Sequence, residues 1–324
     1  MQHPQPIVIA HRGASGYLPE HSVGAKILAH GYGADYLEQD VILSRDDVPL
    51  VFHDLNLEEL TDVASRYPGR HRDDGHWYAI DFTLAELKTL LLHERVDPRS
   101  GQPRWPGRFA ERGVPFAIVT LDEELDLIRG LNRATGRTAG IYTEVKSPAW
   151  HREQGKDSTR VVIDTLARHG YTRRDQPVYL QCFDDVECRR IRNELRCELK
   201  LIQLIGENEW LEAATDYDAL RTAAGLAQIA RYADGVGPSI DRIVTWQAGG
   251  DSPRLSTLVA DAHDAGLAVH PFTLRADDLP RGAGTIDAVH AALFDLAGVD
   301  GVFTDFPDRT RAYLDAATNR GNLS

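Results

Sequence analysis

The chain has 324 residues, of which 42% are apolar and 26% charged, and its formal net charge is −13 at pH 7. This length fits one large domain or two ordinary ones, with enough apolar side chains for a sizeable core. The negative charge argues against nucleic acid or an anionic membrane surface as a partner, because both select for Lys and Arg. No apolar run reaches the roughly 18 residues of a membrane-spanning helix, so we expect no stable membrane insertion.

The first predicted strand is Ile7–Ala10, a short continuous apolar run that is typical of a strand buried on both faces. A helix capped by Ser22 follows and runs to about His30. Residues 34–43 are predicted to form the second strand.

A third strand is predicted at residues 49–53. The polar turn before it is too short for a crossover helix, so the second and third strands are predicted to form an antiparallel hairpin. A turn centred on Asp46-Asp47 would place Asp40 opposite His53. Glu38 and Asp40 lie two residues apart on one strand and therefore share a face.

Residues 55–115 interrupt the regular order and are rich in turn-forming residues and arginine. We expect them to be a small insertion within a single domain that spans residues 1–324. Capping boxes that begin at Thr83 and Thr120 predict the starts of two helices.

Beyond the insertion, predicted strands and helices alternate regularly. The strands are expected at 141–146, 178–183, 201–205, 235–238, 267–273 and 301–305. The helices are expected at about 156–169, 184–195, 217–232, 253–265, 284–297 and 307–317. With the first two strands this makes eight strand–helix units, which favours an α/β fold of the closed (β/α)8 TIM-barrel type over an open sheet.

Polar and aromatic side chains follow the C-terminal ends of these strands, where barrel enzymes of this type carry their active sites. They are His11, Arg12, Glu38, Asp40, Glu144, Lys146, Gln181, Phe183, His270, Phe272, Thr304 and Asp305. Polar groups inside apolar strands are costly unless they are paired or bind a ligand. Their recurrence at several consecutive strand ends indicates one functional mouth.

Three carboxylates with no cysteine nearby, Glu38, Asp40 and Glu144, favour a hard divalent cation such as calcium or magnesium over zinc. Arg12 and Lys146 lie beside them in sequence. A cation and two basic side chains at one mouth suit a substrate that carries phosphate. The two histidines of the first three strands supply a general acid and a general base near neutral pH.

Each of these residues also has an ordinary structural interpretation. The carboxylate pair fits a solvated strand face, and Lys146 with Glu144 fits a surface ion pair worth under about 1 kcal/mol. His11 fits a turn residue, and His270 is equally well a hydrogen-bonded core histidine. The two phenylalanines fit packing positions, and the three cysteines, whose spacing matches no zinc motif, are expected to be small core residues.

The strand-end motifs resemble the signature of the glycerophosphodiester phosphodiesterase family. The segments that carry the resemblance are His11-Arg12-Gly13-Ala14, Pro19-Glu20, Glu38-x-Asp40 and His53-Asp54. Further stretches at 16–21, 33–40, 179–183 and 303–307 resemble the bacterial periplasmic branch in particular. The similarity extends over nearly the whole chain, the insertion included.

The resemblance implies a TIM barrel with a small inserted domain that hydrolyses glycerophosphodiesters, such as glycerophosphocholine or glycerophosphoethanolamine, to sn-glycerol 3-phosphate and an alcohol. It implies one divalent cation, with calcium favoured and magnesium the alternative. The implied roles are acid/base for His11 and His53, cation binding for Glu38, Asp40 and Glu144, and phosphate contact for Arg12 and Lys146. Gln181, Phe183 and Phe272 are the further expected substrate contacts. His21 stands where the signature usually has Asn, and its role is left open.

Two other functions remain open at this level. A sphingomyelinase-type phospholipase D shares the paired histidines and carboxylates and predicts an exposed apolar rim. A non-catalytic phosphodiester-binding barrel would be expected to lose a histidine or a ligand, and none is missing. By resemblance the protein is periplasmic if a signal peptide was removed, and it is cytoplasmic if the sequence is complete; a homodimer is also left open.

Overall fold

The computed structural model describes residues 5–97, 99–109, 111, 113–246 and 252–321. Its strands are β1 (Ile7–Ala10), β2 (Tyr36–Leu43), β3 (Pro49–Val51), β4 (Val119–Thr120), β5 (Gly140–Val145), β6 (Val178–Cys182), β7 (Lys200–Ile205), β8 (Gly235–Pro238), β9 (Val244–Trp246), β10 (Pro253–Leu255), β11 (Ala268–Val269) and β12 (Gly301–Thr304). Eight of them lie side by side in the order β11-β8-β7-β6-β5-β2-β1-β12, and their pairings along this path are parallel.

Backbone hydrogen bonds close this sheet into a barrel by joining the segment that follows β11 to β12. Asp300 N donates to Val269 O at 3.0 Å, Phe303 N donates to Pro271 O at 2.9 Å, and Leu274 N donates to Phe303 O at 2.8 Å. The predicted (β/α)8 architecture is confirmed.

The helices join successive strands. They are α1 (Val23–Gly31), α2 (Val63–Arg66), α3 (Leu84–Leu87), α4 (Leu121–Thr135), α5 (Pro148–Glu153), α6 (Ser158–Arg168), α7 (Asp185–Asn193), α8 (Tyr217–Leu220), α9 (Ala223–Ile229), α10 (Leu258–Asp264), α11 (Ile286–His290) and α12 (Pro307–Gly321). Both predicted capping boxes are present, at the starts of α3 and α4. Among the helices described, none is both long and apolar enough to cross a membrane.

The barrel interior below the strand ends is filled by aromatic and aliphatic side chains. Tyr142 stacks on Tyr179 with ring centroids 4.7 Å apart and meets Phe303 edge-on at 4.9 Å. His270 lies in this layer, where its Nδ1 is 3.0 Å from the Tyr142 hydroxyl. It is therefore a hydrogen-bonded core residue. The cysteines are likewise buried and free, as expected for small core residues.

The hairpin of β2 and β3 is antiparallel as predicted, but the predicted register is wrong by one residue. Val41 pairs with Val51, and Phe52 N donates to Asp40 O at 2.9 Å. Phe52, and not His53, therefore lies opposite Asp40. Strand β3 ends at Val51, and the bend after it still brings His53 to the mouth of the barrel.

The segment between β3 and β4 builds a hydrophobic cluster of its own beside the barrel. Leu57, Phe82, Leu87 and Leu92 are buried in it, and Ile42 of β2 belongs to the same cluster. This packing supports the predicted insertion at residues 55–115, although its independence as a subdomain stays a prediction.

Several later elements are shorter or more broken than predicted. The predicted helix 217–232 is divided into α8 and α9, and the helix predicted from residue 253 begins only at Leu258. Residues 253–255 form β10, which pairs with β9 in a separate two-stranded sheet. The helix predicted at 284–297 continues past α11 as a π-helix over Ala291–Ala297.

Candidate active site

A pocket of about 640 Å³ opens at the C-terminal ends of the barrel strands. Every residue to which the sequence analysis gave an acid/base, cation-binding or substrate-binding role lines it. These residues are His11, Arg12, Glu38, Asp40, His53, Glu144, Lys146, Gln181, Phe183 and Phe272. The structure thus brings the whole predicted set together, while the role of each residue stays a prediction.

The two-residue period of the strands explains why β5 contributes to both the core and the pocket. Tyr142, Glu144 and Lys146 share a face, so the tyrosine fills the interior and the two charged groups follow toward the mouth. The parallel register sets Asp40 of β2 beside Glu144, and Glu38 beside Tyr142. Adjacent strands therefore place Asp40 and Glu144 at one level of the barrel, with Glu38 two residues deeper along β2.

These carboxylates are buried, which rules out the solvated-face interpretation. Glu38 and Asp40 are each 1% exposed and Glu144 is 5% exposed. Burial, together with the charge of Asp40, raises the pKa of Glu38 well above its usual value. Burial also raises the pKa of Glu144 to about 8, although Lys146 opposes this shift. Burial therefore opposes the charged forms of both glutamates, and a nearby positive charge would favour them.

Lys146 is the buried counter-charge of this cluster and not part of a surface pair. Its Nζ lies 2.9 Å from Glu144 Oε1 and 3.0 Å from Glu212 Oε1. Burial works against its charged form, but the two glutamates raise the pKa of Lys146 well above its usual value. The ammonium group is therefore charged at the pocket wall.

A buried histidine that sequence reasoning left without a role stands next to the carboxylates. His21 Nε2 is 2.9 Å from Asp40 Oδ2, and His21 is 1% exposed. Ligand atoms of His21, Glu38 and Asp40 all lie within 4.8 Å of one another, close enough for one metal ion. The carboxylate of Glu144 faces Lys146 and falls outside this tight group.

His11 is held by a carboxylate at the end of β12. Its Nδ1 is 2.7 Å from Asp305 Oδ1, which leaves Nε2 as the ring nitrogen available to the pocket. Burial and the neighbouring Arg12 lower the pKa of His11 to about 4, although Asp305 acts in the opposite direction. The imidazole is thus neutral at pH 7 and able to accept a proton.

His53 has the same kind of support from its chain neighbour. Its Nδ1 hydrogen-bonds to Asp54 Oδ1, and the side chain is 29% exposed. Burial, Arg12 and Lys146 lower the pKa of His53. Both histidines therefore have Nδ1 bound to a carboxylate, and within the described ranges no hydrogen bond occupies Nε2; this arrangement orients an imidazole for proton transfer.

Arg12 joins the first two strands at the base of the mouth. Its backbone adopts φ +57°, an uncommon conformation for a residue with a Cβ, and its N–H donates to Glu38 Oε2 at 2.6 Å. Its Nη1 donates to Glu20 Oε1 at 2.8 Å, and its Nε lies 3.3 Å from Asp40 Oδ2. The guanidinium is thereby fixed between carboxylates at the pocket floor.

Aromatic and amide groups form a further part of the pocket wall. Phe183 and Phe272 meet edge-on at 5.7 Å, and Trp210 lies 6.4 Å from Phe272. Gln181 is 1% exposed, and its Oε1 has no hydrogen-bond partner among the described residues. The wall thus combines apolar surface with the buried Oε1 of Gln181. A buried acceptor without a partner suggests that a ligand binds there.

Sequence reasoning missed several residues that line this pocket or support it, among them His21, Trp210, Glu212 and Arg275. Trp210 and Glu212 lie in the connection after β7, and Arg275 follows β11. The strand-end rule covers the first one or two residues after a strand, so it does not reach residues deep in these connections. His21 was visible as a departure from the family signature.

Two carboxylate-bound histidines, buried carboxylates and two basic side chains lie together at the mouth of a (β/α)8 barrel, and this arrangement suits the cleavage of phosphate diesters. The comparison with known proteins agrees with this class.

The chain belongs to the glycerophosphoryl diester phosphodiesterase family, whose sequence model matches residues 11–309. It is 40% identical to a glycerophosphodiester phosphodiesterase of Haemophilus influenzae, over 95% of this chain and 89% of that protein. It is accordingly a phosphoric diester hydrolase.

Solved structures share the fold along nearly the full length. A Silicibacter pomeroyi protein assigned to the glycerophosphoryl diester phosphodiesterases superposes with a TM-score of 0.71 at 25% identity, over 98% of this chain and 95% of that one. An Oleispira antarctica phosphodiesterase, solved in complex with its product sn-glycerol-3-phosphate, superposes with a TM-score of 0.65 at 22% identity, over 96% and 97% of the two chains.

Proposed function

We propose that this protein hydrolyses glycerophosphodiesters, such as glycerophosphocholine and glycerophosphoethanolamine, to sn-glycerol 3-phosphate and an alcohol, with the help of one divalent cation. The observation that carries the proposal is the pair of histidines, His11 and His53, on one pocket with their Nδ1 atoms bound by carboxylates. The product bound by the Oleispira antarctica phosphodiesterase supports the choice of substrate.

One histidine removes a proton from the attacking hydroxyl, and the other gives a proton to the leaving alcohol. The attacker is the neighbouring hydroxyl of the substrate's own glycerol, so a cyclic phosphate forms and water then opens it. Both rings have lowered pKa values and are neutral at pH 7. The incoming phosphate anion favours protonation of a nearby ring, which supplies the acid.

The carboxylate cluster fits a divalent cation. Glu38, Asp40 and Glu144 would hold it, because carboxylate oxygens are the donors that a hard ion prefers and its charge would favour the ionised forms that burial opposes. Calcium is the favoured ion and magnesium the alternative. When bound, the cation supplies positive charge that stabilises the phosphate in the transition state. His21 adds a nitrogen donor beside Asp40.

The remaining pocket residues bind the substrate. Arg12 and Lys146 contact the phosphate oxygens, because both are charged, buried and fixed at the pocket wall. Gln181 supplies a polar contact through its unpaired Oε1, and Phe183 and Phe272 enclose the glycerol.

The deciding experiment measures release of glycerol 3-phosphate from several glycerophosphodiesters. Activity is expected to vanish with EDTA and to return with calcium, or less completely with magnesium. Activity that is indifferent to a strong chelator after prolonged dialysis would contradict the cation requirement. Absence of glycerol 3-phosphate from every substrate would contradict the proposed function.

Cleavage of intact lipids is the second candidate. Trp210 lines the pocket and is 51% exposed, and the adjoining Leu211 is 84% exposed, so the mouth has a small apolar rim. The net charge of −13 disfavours binding to anionic membranes. The same assay with sphingomyelin and lysophosphatidylcholine separates the two reactions, and we expect only glycerophosphodiesters to be cleaved.

A further inference from the structure

The two aspartates that hold the candidate acid/base histidines are each bound by an arginine from the inserted segment 55–115. Arg95 Nη1 lies 2.5 Å from Asp54 Oδ2, and Asp54 hydrogen-bonds to His53. Arg108 Nη2 lies 2.7 Å from Asp305 Oδ2, and Asp305 hydrogen-bonds to His11. The insertion therefore contacts each histidine indirectly, through two separate sets of residues that both consist of an arginine, an aspartate and the imidazole.

Both arginines are buried, with side chains 6% and 3% exposed. A buried guanidinium is costly unless its donors are used, so such a residue is fixed by its partners. Arg108 is a paired, immobile group: its Nε and Nη2 bind Asp277 at 2.8 and 3.0 Å, and its guanidinium stacks 4.0 Å from the Trp105 ring. Arg108 therefore holds the Oδ2 of Asp305, together with Arg275, whose Nε donates to the same oxygen at 2.9 Å, while Oδ1 faces His11.

Arg95 is connected in a similar way to the phosphate-binding arginine. Glu20 Oε1 accepts from Arg95 Nη2 at 2.9 Å and from Arg12 Nη1 at 2.8 Å. Glu20 belongs to the Pro19-Glu20 motif, to which no chemistry has been assigned so far. In the structure it joins the insertion to Arg12.

We propose that the insertion is a positioning element for the active site: Arg95 and Arg108 hold Asp54 and Asp305 so that the two imidazoles keep Nδ1 on the carboxylate and Nε2 toward the substrate. The inference rests on the proposed function. Neither arginine is a catalytic residue, because each acts on the chemistry through an aspartate and a histidine.

The physical reason is that each arginine restrains the rotation of its carboxylate, and a ring bound to a less restrained carboxylate loses its orientation. Without Arg95, Asp54 Oδ2 has no arginine partner among the described residues, and without Arg108, Asp305 Oδ2 keeps only Arg275. Proton transfer requires donor and acceptor within hydrogen-bond distance and correctly aligned. A misplacement of about 1 Å in a reacting group costs on the order of 100-fold in rate. Loss of either arginine should therefore lower turnover more than substrate binding.

The test uses the full chain with Arg95→Met and Arg108→Met. Methionine keeps an unbranched side chain but lacks the charged guanidinium group. Arg72→Met is the matched control, because Arg72 is also in the insertion and pairs with Asp81 at 2.7 Å, away from both histidines. For each variant, kcat and KM are measured on glycerophosphocholine and on glycerophospho-4-nitrophenol, and folding is followed by melting temperature.

For both test variants we expect kcat on glycerophosphocholine to fall at least about tenfold, with KM within about threefold of the parent and Arg72→Met unaffected. Nitrophenolate is a good leaving group that needs no proton from a general acid. A variant that disturbs only the general acid should therefore show a smaller loss of kcat on glycerophospho-4-nitrophenol than on glycerophosphocholine. Equal kcat losses on both substrates for both variants, or kcat values equal to that of Arg72→Met, would overturn the proposal.

A second measurement decides the case if the Met variants do not fold, or if the parent cleaves no glycerophosphodiester. Proton NMR locates the low-field imidazole N–H signals that disappear in His11→Gln and in His53→Gln. Arg108→Lys should shift only the first signal, and Arg95→Lys only the second. Signals that stay in place in both Lys variants would refute the positioning role, independently of whether the proposed substrates are correct.

Discussion

At the scale of single residues, the two histidines differ in exposure but share one support. His11 is almost enclosed, whereas His53 is 29% exposed. Replacing either histidine by alanine removes the group that accepts or donates a proton in the proposed reaction. We expect His11→Ala and His53→Ala each to lower kcat by about 100-fold or more, measured as glycerol 3-phosphate release.

His71→Ala is the control for this pair, because His71 is an exposed residue of the insertion that contacts the Arg72 carbonyl and the edge of the Trp77 ring. It should keep full activity. Near-full activity in either His11→Ala or His53→Ala would show that the acid/base assignment is wrong.

The buried His270 allows a prediction about the stability of the barrel core that does not depend on the proposed reaction. Burial lowers the pKa of His270 to about 4 from the ordinary value of 6.5. Because the folded-state pKa is depressed, its contribution to stability is complete above pH 6.5 and is lost as the pH falls toward 4. Up to about 1.4 kcal/mol of unfolding free energy is lost per pH unit for one such group.

Urea unfolding of the parent and of His270→Gln at several pH values between 7 and 4 measures this contribution. The slope of unfolding free energy against pH should be smaller in His270→Gln, whatever the offset at pH 7. Identical slopes in the parent and in His270→Gln would contradict a neutral buried imidazole.

At the scale of elements, most strands were predictable because their apolar runs are continuous, as in Ile7–Ala10, which the structure confirms residue for residue. The hairpin register was not. Asp47 adopts φ +61° in the turn, and Ser44 N donates to Val48 O, so the turn is not centred where its sequence suggested. A single left-handed residue shifts cross-strand partners by one, and aspartate signals a turn without specifying its type.

The register error did not affect which residues meet in the candidate site, because most of them lie on elements other than the hairpin turn. Glu38, Asp40 and Glu144 depend on the parallel pairing of β2 with β5, and strand periodicity alone places them on the inner face. His53 depends on the bend after β3. Interactions that span long sequence distances, such as Arg108 with Asp305, have no local signature, so the support of the histidines emerged only from the structure.

At the scale of the whole molecule, the strong negative charge opposes the approach of an anionic substrate. The cations of the site are paired with carboxylates at short range, so the long-range field is that of the net charge of −13. Glycerophosphocholine carries no net charge, whereas glycerophosphoglycerol carries one negative charge. The field therefore slows encounter with the second substrate and leaves encounter with the first nearly unchanged.

Salt should reduce this difference in encounter rate between the two substrates, because it screens the net charge: the Debye length falls from about 30 Å at 0.01 M to about 8 Å at 0.15 M. With the divalent cation held constant, kcat/KM for glycerophosphoglycerol relative to glycerophosphocholine should rise by up to about fivefold across this range. Parallel measurements on both substrates in sodium chloride provide the ratio. A ratio that falls with salt would show that local positive charge at the mouth, in place of the net charge of the molecule, governs substrate approach.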